Sequence, residues 1–334
     1  MDFRLELNIK PWKERLHLRQ KVMLMGSCFT EHMSQKLTDY RFKTLENPHG
    51  ILFNPQSILQ ALEAYASRQV FESDGLFYYD GLWQSWAHHG RFAHGDPAEA
   101  LKKINTELAE ASVYIREADW LIITLGSAFV YELKPGTAFG QNGAPMAVAN
   151  CHKVPQGNFI HRLLSYEEVC RDIGKMVQTV RAVNPGLKII FTISPVRHHR
   201  EGLVENNRSK ALLHLAVMGQ LQTDGIYYFP AYELVVDDLR DYRFFAEDLV
   251  HPNYLATQYV WEKFSMACIS EESKLLMEKI NRLNAAMQHR PRQPESANHK
   301  AFLAKMLKET IALKTEAPYL ELAGAIAFFG ERKG

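Results

Sequence analysis

Short apolar runs alternate with helix-like periodicity through most of the chain. The runs are VMLMGS (22–27), YRFKTLEN (40–47), ADWLIITLGSAF (118–129), LKIIFTISPV (187–196) and IYYFPAYEL (226–234). Between the first two, Phe29, Met33 and Leu37 recur at helical spacing. Ser165 and Glu168 form a capping box ahead of a helix that reaches about Val183, and Asn184-Pro185-Gly186 stops it. A helix carrying Leu212, Leu213, Leu215 and Met218 ends before Asp224-Gly225. Strands that alternate with helices predict βαβ units, here a doubly wound parallel sheet of about five strands.

Two stretches break the rhythm. LFYYDGLWQSWAHHGRF (76–92) alternates around Asp80-Gly81 and predicts a hairpin. Residues 130–155 contain Asn142-Gly143 and also read as β-rich. Both stand where they can wall a ligand site at the carboxyl ends of the strands. After about residue 270 the pattern becomes helical. Ser270, Glu271 and Glu272 start a helix with Leu276, Ile280, Leu283 and Met287 on one face. A polar connector (288–299) leads to a second helix carrying Leu303, Leu307 and Ile311. The expected organisation is a core domain over 1–269, with insertions at 73–96 and 130–160, and a helical extension over 270–334 packed on it.

Composition narrows the function classes. The hydrophobic fraction of 46% suits a large core, and a net charge of +1 gives no bulk drive toward nucleic acid or an anionic membrane. Cys28, Cys151, Cys170 and Cys268 form no CxxC pair, which argues against a disulfide framework or a zinc site of the usual spacing. The N-terminal 21 residues hold no apolar signal core, and no run is long enough to span a membrane. These features point to a cytoplasmic protein without metal or organic cofactor. The sequence carries no signal of oligomeric state. His88, His89 and His94, Cys151-His152 and His198-His199 raise a metal reading, but adjacent residues on a strand face opposite sides and make poor chelates.

The candidate chemistry sits at two places. MLMGSCFTEHM (23–33) sets Ser27 and Cys28 at a strand-to-helix turn, and AEDLVHPNYLA (246–256) sets Asp248 three residues before His251. On a helical turn or compact loop that spacing lets the carboxylate orient the imidazole. Pro252 suits the first turn of a helix carrying Tyr254, Tyr259 and Phe264. Ser27 follows the first strand and His251 the last, so a doubly wound sheet brings both to its carboxyl edge. Nucleophile, base and orienter need no sequence proximity. The bland reading of Ser27 is a helix cap, and that of Asp248 and His251 a structural pair. Cys28 is intrinsically the stronger nucleophile, and a helix N-terminus would lower its pKa. Arg197, His198 and Arg200 are candidates for binding an anionic or hydroxylated substrate, with a solvated loop as the alternative. His88 is a further candidate of this kind. Asn206 and Asn207 are read as helix caps. Trp83, Trp86, Tyr78 and Tyr79 form either hairpin core or a stacking platform for a sugar ring. Arg290 and Arg292 belong to a solvated connector.

Gly26-Ser27-Cys28-Phe29, with Thr30 in place of the usual Ala, resembles the name-giving motif of the GSCFA family, a branch of the SGNH (GDSL-like) hydrolases. PHGILFNP (48–55), TLGSAFVYE (124–132), ANCHKVP (149–155), SPVRHHREGLVENNRSKA (194–211) and the stretch 228–252 extend the resemblance over most of residues 22–255. It implies a flavodoxin-like α/β/α core with its active site at the sheet's carboxyl edge. It also implies Ser27 as nucleophile, His251 as base and Asp248 as its orienter, and demotes Cys28 to packing. The oxyanion hole would use the amides of Ser27 and Gly50. The pattern's Asn is replaced by Ala128, which leaves Asn54 or Ser127 as third donor, and Gly26 stands where many members carry Asp. The implied activity is hydrolysis of an acyl ester on a small molecule or glycan, by superfamily analogy an O-acetyl ester of a carbohydrate. An acyltransferase with the same triad and a non-catalytic binding protein are the alternatives.

Overall fold

Lys21–Gly26 (β1) is buried on both faces from Val22 onward, as a central parallel strand must be. The computed structural model describes residues 5–139, 145–198 and 200–331, so Asn142-Gly143 and His199 lie outside the described residues. Lys43–Glu46 (β2), Trp120–Leu125 (β5), Lys188–Ile193 (β9) and Ile226–Phe229 (β10) complete the main sheet. Its order is β10-β9-β5-β1-β2, with β1, β5, β9 and β10 paired in parallel and Met25 opposite Ile123. Counted along the chain, the five strands lie in the order 2-1-3-4-5, the flavodoxin-like winding. The direction reverses between β1 and β5, and open α/β sheets bind ligands outside the carboxyl ends at that reversal.

Helices Cys28–Asp39 (α1), Pro55–Ser67 (α2), Pro97–Glu117 (α3), Tyr166–Val183 (α4) and Leu203–Met218 (α5) alternate with these strands. Met23, Met25, Leu121, Ile123, Ile189 and Phe191 share one face of the sheet and form a single core with α2, α3, α4 and α5. The contribution of α4 comes from Val169, Ile173, Met176 and Val180, each side chain worth about 1.5–3 kcal/mol on burial. Its Ser165–Glu168 capping box is present as the sequence predicts.

The two interruptions are β structure. Phe77–Tyr79 (β3) and Leu82–Gln84 (β4) form the hairpin. Phe129–Leu133 (β6), Met146–Val148 (β7) and Phe159–Leu163 (β8) form an antiparallel sheet in the order β7-β6-β8. The run 118–129, read as one strand, is therefore divided: β5 stops at Leu125 and β6 starts at Phe129. Trp86 stacks on Phe77 at 3.7 Å and joins Leu133, Val148, Val154 and Phe159 in a small core. This places Trp86 in packing, while Tyr78 is exposed.

After β10 the chain turns through Ala231–Glu233 (α6) and π-helical turns over Leu234–Leu239 before Tyr254–Cys268 (α7). Pro252 does not open α7. It bridges Phe245 in the preceding loop, and the Asn253 side chain accepts the Ala256 N–H at the helix start.

Contacts divide the chain into two units, one built mainly of Val22–Ser34 and Leu45–Trp261, the other of Ile9–Lys21, Gln35–Thr44 and the chain from Glu262 onward. The second unit holds Glu271–Gln288 (α8), Ala297–Glu316 (α9) and Ala323–Glu331 (α10). Within it, Leu16 bridges Ile269 and the Leu18 N–H donates to Ser273 Oγ at 3.0 Å. The buried face of α9 is Leu303, Met306, Thr310 and Leu313. It is turned away from the predicted Leu303, Leu307 and Ile311 face, and Ile311 is exposed. Among the described residues no helix is long and apolar enough to cross a membrane.

Candidate active site

The Ser27 turn is fixed by backbone approach. Gly26 has φ +134°, and a Cβ there would lie 2.1 Å from the Thr124 carbonyl oxygen of β5. A residue with a side chain could not let the two strand ends come this close. The Gly26 N–H donates to Asn47 Oδ1 at 2.9 Å, and the Gly26 carbonyl accepts from the Leu52 N–H. Ser27 then precedes α1 in the position of a cap. Its hydroxyl does not cap: the Thr30 N–H goes to the Ser27 carbonyl at 2.8 Å. Ser27 is fully buried and its Oγ has no hydrogen-bond partner among the described residues. An unsatisfied buried hydroxyl costs stability and so calls for a reason. Thr30 Oγ1 is unpartnered as well.

Cys28, one step on, is half-buried. Burial raises its thiol pKa most and Glu31 adds to the rise, outweighing the helix amides and Lys210. The thiol is therefore no activated nucleophile.

Asp248 and His251 occupy a compact loop rather than a helix. The Asp248 carboxylate accepts the Val250 N–H at 2.9 Å, the His251 N–H at 3.0 Å and His251 Nδ1 at 2.6 Å. These bonds hold the carboxyl below its ordinary pKa, the His251 amide contributing most and the imidazole next. With its Nδ1 proton held there, the imidazole keeps Nε2 as its basic nitrogen. Both side chains are about half exposed, in contrast to Ser27.

The other predicted residues separate into groups. The Gly50 amide donates to the Asn47 carbonyl at 2.6 Å, and the Ser27 amide to Thr124 at 3.1 Å. Both expected oxyanion donors are thus engaged with the backbone. Gly50 has φ +77°, and a Cβ would sit 2.2 Å from that of His89. Asn54 caps α2 through Oδ1, which accepts the Ser57 N–H, while its amide nitrogen has no acceptor among the described residues. Ser127 Oγ accepts the Phe129 N–H and lies 3.3 Å from Ser209 Oγ. Ala128 is buried, and its N–H also goes to Ser209.

Arg197 braces the His251 loop: its guanidinium lies over Phe245 and Tyr242, and its N–H reaches the Val250 carbonyl. His198 packs edge-on against Phe53, and its Nε2 is buried without a partner. Burial lowers its pKa to about 3, with Lys210 and His251 adding to the effect, so the ring is neutral at physiological pH. His88 stacks on His49 at 4.3 Å and is 1% exposed. It is packed in the interior against Phe71 and Phe92, which corrects the substrate-binding role expected of it. The Asn206 side chain is no helix cap: Gly202 precedes α5, and Asn206 Oδ1 accepts the His198 N–H at 3.0 Å.

A cavity of about 290 Å³ is walled by Phe53, Asn54, Ser127, Phe129, Tyr131 and His161, with His198 and Arg200 at its side. The Phe53 carbonyl accepts the Gly126 and Ser127 amides, and a side chain on Gly126 would touch Ser27 Cβ at 3.3 Å. His161 stacks between Phe129 and Tyr131, at 5.1 and 4.1 Å. Arg200 lies 5.5 Å over Tyr131, and Glu201 pairs with His161 at 3.4 Å. The insertion after β5 therefore walls the cavity. Phe77 and Tyr79 of the first hairpin pack against the small core that holds Leu133, Val148 and Phe159 of that insertion.

Sequence reasoning missed Lys210. It is 2% exposed, and its Nζ donates to the Gly126 and Ser194 carbonyls, both at 2.7 Å. A signal was present in α5: the apolar face through Leu213 and Val217 continues backward onto Lys210, Ser209 and Asn206, all buried. Polar residues on the core face of a helix mark a place where something other than packing is required.

Solved structures similar to this chain include a putative platelet activating factor from Streptococcus pneumonia (10% identity, 77% of this chain and 83% of that one, TM-score 0.38). Others are a carbohydrate esterase family 3 from Talaromyces cellulolyticus (11%, 79% and 99%, TM-score 0.36) and an acetyl esterase mutant with acetate ion (11%, 79% and 99%, TM-score 0.35). No curated protein matches the chain. The GSCFA family model matches residues 21–264, and the model described as GSCFA domain protein, C-terminal domain, matches residues 280–332. With most of its length matched in this way, the chain belongs to the GSCFA family.

Proposed function

We propose that the protein is a serine hydrolase of acyl esters. The observation that carries this reading is the Ser27 hydroxyl, buried and unpartnered at the sheet's point of reversal. The Asp248–His251 pair follows the last strand of the same sheet. In the reaction, Ser27 Oγ attacks the ester carbonyl and its proton passes to His251 Nε2. The tetrahedral oxyanion collapses, the alkoxide leaves with the proton from His251, and water hydrolyses the acyl-enzyme by the same route. Asp248 holds the imidazole and stabilises its charged form. Because Ser27 is enclosed and makes no bond to His251, the reactive state needs a local opening that exposes the hydroxyl and closes that bond. With the Ser27 and Gly50 amides spent on backbone carbonyls, Asn54 is favoured over Ser127 as oxyanion donor, since its side chain lines the cavity and its amide nitrogen has no acceptor among the described residues.

The cavity suits the alcohol half of the substrate. Its volume is of monosaccharide size, and it mixes aromatic faces with the amides of Asn54 and Asn150. This supports a carbohydrate O-acyl ester, acetyl being the smallest group for an enclosed nucleophile. The test is treatment with a fluorophosphonate followed by peptide mass spectrometry. The expected result is an adduct on Ser27 that is absent in Ser27→Ala and slowed at least a hundredfold in His251→Ala. Absence of any adduct on Ser27 over a range of pH and reagent size would overturn the reading.

A further inference from the structure

Lys210 stands where a cation has no structural necessity. Its side chain is enclosed, no carboxylate pairs with it among the described residues, and its two acceptors are main-chain oxygens. Those oxygens belong to Gly126 and Ser194, which directly follow β5 and β9 at the carboxyl edge. A side chain on Gly126 would meet Ser27 Cβ at 3.3 Å, so the ammonium holds the carbonyl of a residue that adjoins the nucleophile. The groups facing it are Cys28 from α1, His198 from the loop after β9, His214 from its own helix and the Tyr232 ring of α6 at 5.8 Å. Neither histidine offers a negative charge. A buried cation facing only neutral groups is held at a cost.

We propose that Lys210 is a positioning residue for the Ser27 reaction, tying the ends of β5 and β9 behind the nucleophile and supplying it with positive potential when protonated. The first half of the role is geometric. Without the amine, two buried carbonyls lose their donors and the Gly126 turn loses its tie to β9. The second half is electrostatic. A positive charge in a low-dielectric surrounding favours the anion that develops as the ester is attacked. The same charge lowers the pKa of Cys28, next in sequence to Ser27.

Burial brings the Lys210 pKa down to about 7, with Cys28 opposing the fall. The two states of the amine then differ in a specific way. A neutral amine has two N–H groups, which the two carbonyls satisfy, so the geometric tie survives deprotonation. The charge does not. Below pH 7 the site has tie and charge, and above it the tie alone.

The inference rests on the ester-hydrolase reading for its Ser27 part, so the experiment carries a second reporter. Rates of fluorophosphonate labelling at Ser27 and of iodoacetamide alkylation at Cys28 are measured from pH 6 to 9 in wild type, Lys210→Met and Lys210→Arg, each checked for folding by circular dichroism. The expected result is a wild-type to Lys210→Met rate ratio that falls as pH rises. At Cys28 it declines from roughly threefold to tenfold at pH 6.5 toward unity by pH 9. At Ser27 it is larger, because loss of the tie adds a constant factor. Lys210→Arg, which stays charged, restores the low-pH rate at both residues. A ratio that is constant with pH at both residues assigns Lys210 a structural tie only and overturns the electrostatic half of the proposal. If Ser27 labels in no variant, the ester reading fails while the Cys28 profile still decides the charge. Should Lys210→Met not fold, ¹³C NMR of wild-type protein labelled at lysine Cε replaces it. A lysine resonance with a midpoint near 7 supports the proposal, and titration of every lysine near the ordinary value of about 10 overturns it.

Discussion

The two halves of the proposed triad are built on opposite principles. Ser27 is fully enclosed, and its hydroxyl is bonded to nothing. Asp248 and His251 are half exposed, and every acceptor site of the carboxylate that matters is filled within four residues. The Ser27 turn owes its shape to distant groups: Thr124 on β5 and the Asn47 side chain beyond β2. The His251 loop owes its shape mainly to near neighbours, with Ala246 N–H closing onto the His251 carbonyl and Pro252 bridging Phe245, while Arg197 braces it from outside. A nucleophile placed by the sheet is rigid and costly to disturb. A base placed by a local loop can be altered with little effect on folding. This division assigns stability to one half of the site and adjustable geometry to the other.

Gly26→Ala breaks the first half most severely. The added methyl would meet the Thr124 carbonyl at 2.1 Å in a backbone conformation that L residues seldom adopt. Backbone strain and a forced separation of β1 from β5 together are expected to cost about 3–5 kcal/mol in urea unfolding and to remove Ser27 labelling. Ser27→Ala in the same turn removes labelling too, but it deletes an unsatisfied polar atom. Its stability should equal or slightly exceed that of wild type. Equal destabilisation by the two variants would mean that the turn is not held by the close approach of the strands.

Asp248→Asn tests the second half. The amide oxygen can still accept the Val250 and His251 N–H groups, so the loop and the unfolding midpoint should stay unchanged. The bond to Nδ1 loses its charge and its fixed tautomer, and Ser27 labelling is expected to slow by about 10²–10⁴-fold. The carboxyl of wild type sits below its ordinary pKa. The sign follows: its support of the loop is complete above the unfolded value of about 4 and is lost only as pH falls through the lower folded value. Wild-type labelling should therefore show no loss attributable to Asp248 between pH 4 and 7. A midpoint for loss of the Asp248 effect above pH 4.5 would contradict this geometry.

The same contrast explains what could be read from the sequence. Buried strands are continuous apolar runs, so the five sheet strands were legible, although the run 118–129 needed cutting at Gly126 and the run 226–234 turns helical after Phe229. The Asp248–His251 bond was legible because it is local. What escaped depends on where distant backbone lies. No pattern in one chain tells that the Gly50 amide is spent on Asn47, or that Thr124 comes within contact of Gly26. The unforeseen pairing of Leu16 with Ile269 in the second unit fails for the same reason. The misplaced α9 face has another cause. Thr310 is buried there with its hydroxyl returned to the Met306 carbonyl, which hides a polar residue in the core and shifts the apparent apolar stripe. Lys210 was passed over because a lysine within a helix reads as solvent-facing, and Asn206 was read as a cap because Asn is common at helix starts.

Asn54 offers the finest test of the comparison, because it serves both kinds of order at once. Its Oδ1 fixes the start of α2 locally, and its side chain lines the cavity with the amide nitrogen unpartnered among the described residues. Asn54→Ala would remove both functions, and a fall in labelling would then be ambiguous with a cap loss of about 1 kcal/mol. Asn54→Ser keeps a good cap and removes only the amide donor. If that donor stabilises the oxyanion, labelling and ester turnover should fall by roughly 10–10³-fold with KM little changed. The melting temperature should stay within about 2 °C of wild type. A rise in KM with kcat intact would instead make Asn54 a wall of the cavity that binds ground state and transition state alike. Wild-type rates in Asn54→Ser, set against slowed rates in Ser127→Ala, would pass the role to Ser127, whose hydroxyl shares its contacts with Phe129 and Ser209.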